Sequence, residues 1–398
     1  MVAGMSLRRA ESYAAMRKTT CRVYAAIFAC ILAAMGICHA ASVSLPPVFD
    51  SDDLLQSCVD GAESSKAVQL TAKAIGIATN NVGNIWTIDD EHQSPHVFDG
   101  KSGYALLQSS MWAEMRYSGW WVSYGKGQRD AYSGNADAAR LWIDLHSGVP
   151  TQDSYEPTAQ RARIMTSWYG LGRDIPFHAG EASGTACLQL RALTGCDYLS
   201  MAVTGNVESD GAFTGMMRSV GSGAGSDALP GDGWSLDGRL RLRFRDEWIG
   251  QLGIEGLLGR VSWRDLRVTD SRIVSPRTFT DPDGFLHDIG GVSGATWNED
   301  RTLQINPYYR FDAVWTKQPY VLFGIGLQSG WRATPSLGFA WPQKQRKWLP
   351  FIRFYPAQQR FEIGAVGSRW QVRISGDDWI LSSPKHAEVA ASLQALRF

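Results

Sequence analysis

Between residues 234 and 246 apolar and polar side chains alternate. Trp234, Leu236, Gly238, Leu240, Leu242 and Phe244 share one side, and Ser235, Asp237, Arg239, Arg241, Arg243 and Arg245 share the other. A strand sends successive side chains to opposite faces, whereas a helix groups positions three and four apart. The segment is therefore predicted to be a strand with one dry and one wet face. The same alternation runs through 302–316 and again from Val321 through Phe323, Ile325 and Leu327. Further strands are predicted at 110–117, 120–124, 140–146, 164–170, 185–193, 198–207, 248–258, 263–268, 337–341, 349–355, 361–366, 370–374 and 386–398. The helical period is scarce; 52–58 and 65–75 are the stretches read as helical.

The longest of these runs exceed the usual globular strand of about 5 to 6 residues and match the roughly 9 to 11 needed to cross a bilayer at a tilt. The fold class expected is all-β, a transmembrane antiparallel β-barrel of about 12–16 strands, even in number, with a small N-terminal extension. The connections are unequal. Residues 205–233 and 269–300 read as long polar loops, while 317–319 and 356–359 read as tight turns, as expected when one rim carries loops and the other short hairpins. Trp120, Trp121, Trp234, Trp248, Trp315, Trp331, Trp341, Trp348 and Trp370 sit near strand ends, where an indole can face lipid and water at once.

Composition narrows the function. Of 398 residues, 39 are Lys or Arg and 39 are Asp or Glu, so the formal charge is zero, and the basic footprint of a nucleic-acid partner is missing. Mean hydropathy is −0.19, which excludes bundles of apolar spanning helices. Arg17, Lys18 and Arg22 followed by an apolar run to Ile37 and a small-residue site at Ala40 predict a secretory signal over 1–40. An N-terminal periplasmic extension or plug is then expected over 41–103, and the barrel over 104–398. Cleavage leaves Cys58, Cys187 and Cys196, enough for one bridge and one free thiol. Cys187 can pair with Cys196, or either with Cys58.

The chain ends Gln394-Ala395-Leu396-Arg397-Phe398. An aromatic terminus with an apolar residue two places earlier resembles bacterial outer-membrane β-barrel proteins, porin-like in pattern, without pointing to a named family. The resemblance implies outer-membrane localisation, a surrounding of outer-membrane lipids, and reading of Leu396 and Phe398 by the barrel assembly machinery. Ser392 and Gln394 interrupt that register with polar side chains, so either a bulge lies near the end or that stretch faces lipid only weakly.

If the apolar face of 234–244 meets lipid, Arg239, Arg241, Arg243 and Arg245 point into the lumen, where Glu255 and Asp312 are candidate partners. Such a ladder either attracts anions or is neutralised by neighbouring carboxylates. Asp144 and His146, read on one face of a strand, are the closest approach to a catalytic pair, but no nucleophile motif accompanies them. Asp281-Pro282-Asp283-Gly284 lacks the ligand spacing of a calcium loop and reads as a turn. The glycines of 221–226 lack the lysine and helix of a phosphate-binding loop. No catalytic residue, metal or cofactor is expected. The leading functional expectation is a channel or porin for small polar or anionic solutes. The alternatives are a barrel that exports or assembles an envelope polymer with a periplasmic partner, a lipid- or peptide-hydrolysing barrel using His146, and a secreted soluble β-protein.

Overall fold

In a computed structural model of the chain, the alternating segments close on one another as a single antiparallel sheet. The structure describes residues 42–43, 68–82, 100–147, 152–208, 212–223, 230–245, 247–280, 286–328, 333–342, 348–377 and 385–397. The strands are β1 Gln69–Asn80, β2 Ser102–Tyr117, β3 Trp120–Asn135, β4 Thr158–Ala179, β5 Ala182–Glu208, β6 Phe213–Gly221, β7 Gly231–Phe244 and β8 Trp248–Thr280. They continue as β9 Leu286–Ile305, β10 Tyr308–Trp315, β11 Tyr320–Gln328, β12 Thr334–Ala340, β13 Trp348–Tyr355, β14 Arg360–Gly367, β15 Trp370–Gly376 and β16 His386–Arg397. Two pairs share a slot. β7 lies between β5 and β8 near one rim and β6 lies between them farther along, while β10 and β9 succeed each other along the other edge of β8. Counted by slot, the barrel has 14 strands, and β16 closes it against β1.

The polarity is inverted relative to a water-soluble protein. Met111, Tyr169, Leu188, Leu190, Ile363 and Val389 are 65%, 66%, 52%, 55%, 51% and 53% exposed, whereas Gln189, Arg191, Asp237, Glu362 and Arg373 are 0%, 1%, 0%, 1% and 2% exposed. A contiguous apolar exterior of this kind is intolerable in water and required in hydrocarbon, where only a closed sheet leaves no backbone group unpaired. The chain is thus a transmembrane barrel of the bacterial outer-membrane type, not two stacked sheets.

The hairpin turns β2–β3, β4–β5, β7–β8, β10–β11 and β14–β15 are short and lie at one rim, which is the periplasmic rim by the rule for such barrels. Trp120, Trp248, Trp341 and Trp370 ring that rim, each 39–48% exposed, and Trp248 stacks on Trp315 with ring centroids 6.2 Å apart. Trp121 departs from the expected girdle. It points inward at 1% exposure, because its place is one residue out of phase with Trp120. Trp331 lies outside the described residues.

Several expectations are corrected. The barrel begins at Gln69, inside the 41–103 span assigned to an extension, and the 65–75 stretch read as helical contributes to β1. Its Ala72, Ala74 and Gly76 favour no face by themselves, but pairing with β16 on one edge and β2 on the other imposes the strand. The 140–146 strand is instead helix α1, Ala136–Ser147. Asn135 caps it, its Oδ1 accepting the Ala138 N–H at 2.9 Å, and Ala139 and Ile143, four residues apart, form its buried stripe. The 269–300 loop is largely a hairpin continuing β8 and β9 beyond the membrane. Residues 291–298 are exposed on both faces, so they lack the apolar side that marks a strand in sequence. Part of the 205–233 loop is likewise β6. The tight turn at 356–359 lies at the same rim as the long hairpins rather than opposite them. The segments 1–40 and 52–58 lie outside the described residues.

Candidate functional site

The inward face of the sheet carries the charged and amide side chains. A charge removed from water needs a partner, and the inward charges are built into networks. On the wall formed by β10 and β13–β16, Arg310 Nε lies 2.8 Å from Asp312 Oδ2, and Arg353 reaches Asp312 at 3.7 Å and Glu362 at 3.6 Å. Arg373 and Arg360 converge on Glu388 at 2.7 and 2.9 Å, and Tyr355 donates to Glu362 at 3.0 Å. Arg353 can reach Asp312 across two intervening strands because those strands present Gly324 and Gly338 there. An added Cβ on Gly324 would stand 2.7 Å from Asp312 Oδ1, and one on Gly338 would stand 3.1 Å from Arg353 Cβ.

The wall formed by β1–β8 combines cations with indoles. Arg191 binds Asp237 at 2.5 Å and donates to Ser235 at 2.9 Å, while its guanidinium lies 5.8 Å from the Trp168 ring centroid. Arg116 lies 5.2 Å from Trp121 and Lys73 5.9 Å from Trp112. Arg116 also pairs with Glu114 at 3.2 Å and Asp174 at 3.5 Å. Each of these contacts is favourable in a low-dielectric interior. The Trp168 ring occupies the space over Gly125, its direct partner in β3; any larger residue there would collide with the indole.

Of the residues singled out in sequence, Arg239 is buried at 9% exposure, Glu255 at 4% and Asp312 at 1%. Arg241 donates to Gln251 at 3.1 Å on the facing position of β8. Arg243 is half-buried on the same face. Arg245 departs from the ladder. It adopts a left-handed φ of 51° in the β7–β8 turn, is exposed, and pairs with Glu181 of the neighbouring turn. The strand ends at Phe244, so the alternation no longer governs where Arg245 points. Asp312 serves Arg310 and Arg353 rather than the ladder. Instead, the carboxylate embedded in β7 itself, Asp237, takes Arg191 and accepts the Gly256 N–H at 2.7 Å.

Arg353, Glu362, Arg373 and Glu388 were not singled out. Each stands directly between two apolar residues, and that local alternation was the available signal. Asp144 and His146 do not form the strand pair expected of them. Both positions fall in helix α1 rather than on a strand, and Asp144 accepts the Tyr155 hydroxyl; the His146 side chain lies outside the described residues. Cys187 is a buried free thiol, which removes it from any bridge; Cys58 and the Cys196 side chain lie outside the described residues. Leu396 belongs to β16 opposite Leu70, after a register shift between Gln394 and Leu396. That bulge and the inward, 8% exposed Ser392 account for the polar interruption of the terminal pattern. Phe398 and the 281–284 turn lie outside the described residues.

No protein-family model and no curated protein matches the chain. Among solved structures, it is similar to the toluene transporter TodX of P. putida, at 10% identity over 85% of this chain and 91% of that one, with a TM-score of 0.37. A monoaromatic hydrocarbon channel TodX variant gives 11% identity, 89% and 96% coverage and a TM-score of 0.40. The translocator domain of autotransporter NalP from Neisseria meningitidis gives 8% identity, 86% and 92% coverage and a TM-score of 0.29. These are bacterial outer-membrane β-barrels, and the chain's own inverted polarity and closed sheet place it in that architectural class.

Proposed function

We propose that the barrel is a passive outer-membrane channel for small polar or anionic solutes. One observation carries this reading: charged, hydrogen-bonded side chains face the interior from Arg239 in the middle of β7 to Arg360 and Glu388 near the outer rim. Inward charges on so many strands suit a hydrated path and are costly in a barrel that is only an anchor, although apolar clusters around Trp263 and Leu322 share the interior with them. On the inward faces of β2, β4, β5, β7, β8 and β10 within the membrane, Arg116, Arg191, Arg239, Arg241, Arg243 and Arg310 outnumber Glu114, Asp174, Asp237, Glu255 and Asp312 by one, which biases the path toward anions. Assembly of the barrel is proposed to read Leu396 and Phe398.

The test is conductance of the purified, heat-modifiable protein in planar bilayers. Steady openings with a reversal potential of anionic sign in a salt gradient are expected. Folded protein that never conducts would overturn the reading. In a conducting barrel, Arg239→Glu combined with Arg241→Glu is expected to move the reversal potential toward cations.

A further inference from the structure

The lipid-facing wall is uneven at one place. Tyr124, Tyr169, Ala192, Trp234 and Arg260 are successive partners across β3, β4, β5, β7 and β8, and all point outward. Tyr169 is 66% and Trp234 40% exposed, and between them stands only the methyl of Ala192. Two strand spacings, about 9.6 Å, separate the two aromatic strands, and Leu171 and Leu190 close the lower end. The result is an apolar groove of about 270 Å³ in the outer surface. Tyr124 packs on Tyr169 with centroids 4.9 Å apart and holds that wall upright.

The level of the groove identifies its leaflet. The next set of outward partners toward the long hairpins is Lys126, Ser167, Thr194, Asp232 and Ser262, which ends the apolar belt on β5 and β7, over the groove, while β2 carries the belt farther with Met111, the partner of Lys126, and Leu107. The groove therefore lies just inside the outer leaflet. Arg260, exposed beside Trp234, and Lys126, exposed above Tyr124, flank it on either side and outnumber Asp232 between them.

We propose that this groove binds a phosphorylated glycolipid of the outer leaflet, of the lipid A class, with one acyl chain between Tyr169 and Trp234 and phosphate on Arg260 and Lys126. A chain of methylenes fills the groove that Ala192 leaves. Guanidinium and ammonium groups at its upper end match phosphates where the hydrocarbon stops. The site lies outside the lumen, so it is independent of conduction.

The experiment uses the full barrel reconstituted in phospholipid vesicles doped with lipopolysaccharide, re-extracted, and weighed by native mass spectrometry. Ala192→Leu fills the groove, and Arg260→Gln removes the principal cation. Both changes face lipid, and heat-modifiable gel mobility reports that each variant is folded. Wild-type protein is expected to retain lipopolysaccharide, and each variant to retain about tenfold less, the scale of one lost charge-assisted contact or of a blocked chain. Equal retention by wild type and both folded variants overturns the proposal. So does a wild type that retains phospholipid in preference to lipopolysaccharide.

Discussion

Arg191 and Asp237 show what a single residue is worth inside this barrel. Both are essentially inaccessible, at 1% and 0% exposure, and they meet through two short contacts. Asp237→Asn leaves the guanidinium without its counter-charge, and breaking one side of a buried pair typically costs about 3–5 kcal/mol. The expected result is an unfolding free energy, from urea titration of the reconstituted barrel, lowered by that amount. Replacing both residues by Met and Leu should recover most of it, since a volume-matched apolar pair carries no stranded charge. Gly125 is the second such position. Gly125→Val puts a branched side chain where the Trp168 indole lies, and overpacking of this sort costs about 1–3 kcal/mol; the same titration measures it.

At the scale of an element, β8 has 33 residues, about three times what a tilted crossing needs. Its first part pairs with β7 and β10 in the membrane, and the rest pairs with β6 and β9 beyond it. The hairpin is accordingly expected outside the cell. In a background with the native cysteines replaced, Thr296→Cys should label with an impermeant maleimide on intact cells. Lys317→Cys, in the β10–β11 turn, should label only after the outer membrane is opened. The reverse pattern would invert the assigned orientation.

For the whole molecule, closure is the decisive feature. β1 is the strand that joins β16 to β2, so deletion of residues 69–80 is expected to abolish heat-modifiable mobility on gels. Leaving β16 and β2 with open edges in hydrocarbon strands a row of backbone N–H and C=O groups, and no side-chain contact elsewhere offsets that cost.

The alternation of 234–244 and 321–327 was sufficient to establish strands, their two faces and a membrane barrel, because a period of two is a local property that each strand displays without reference to its neighbours. In 302–316 it was misread across the break at 306–307, where β9 gives way to β10 and the faces exchange, so that Leu303 is buried inside at 3% and Phe311 faces lipid at 45%. Arg239, Glu255 and Asp312 were legible for the same reason. What the sequence did not determine depends on pairing between distant segments. β1 is a strand because β16 and β2 flank it; the 269–300 hairpin has water on both faces and so shows no alternation of polarity; and Arg353 finds Asp312 only because Gly324 and Gly338 clear the wall between them. Arg245 and Trp121 were misplaced where a turn or a one-residue phase decides direction. Side-chain face is written in the local chain, whereas partner, register and closure arise only when the sheet meets itself.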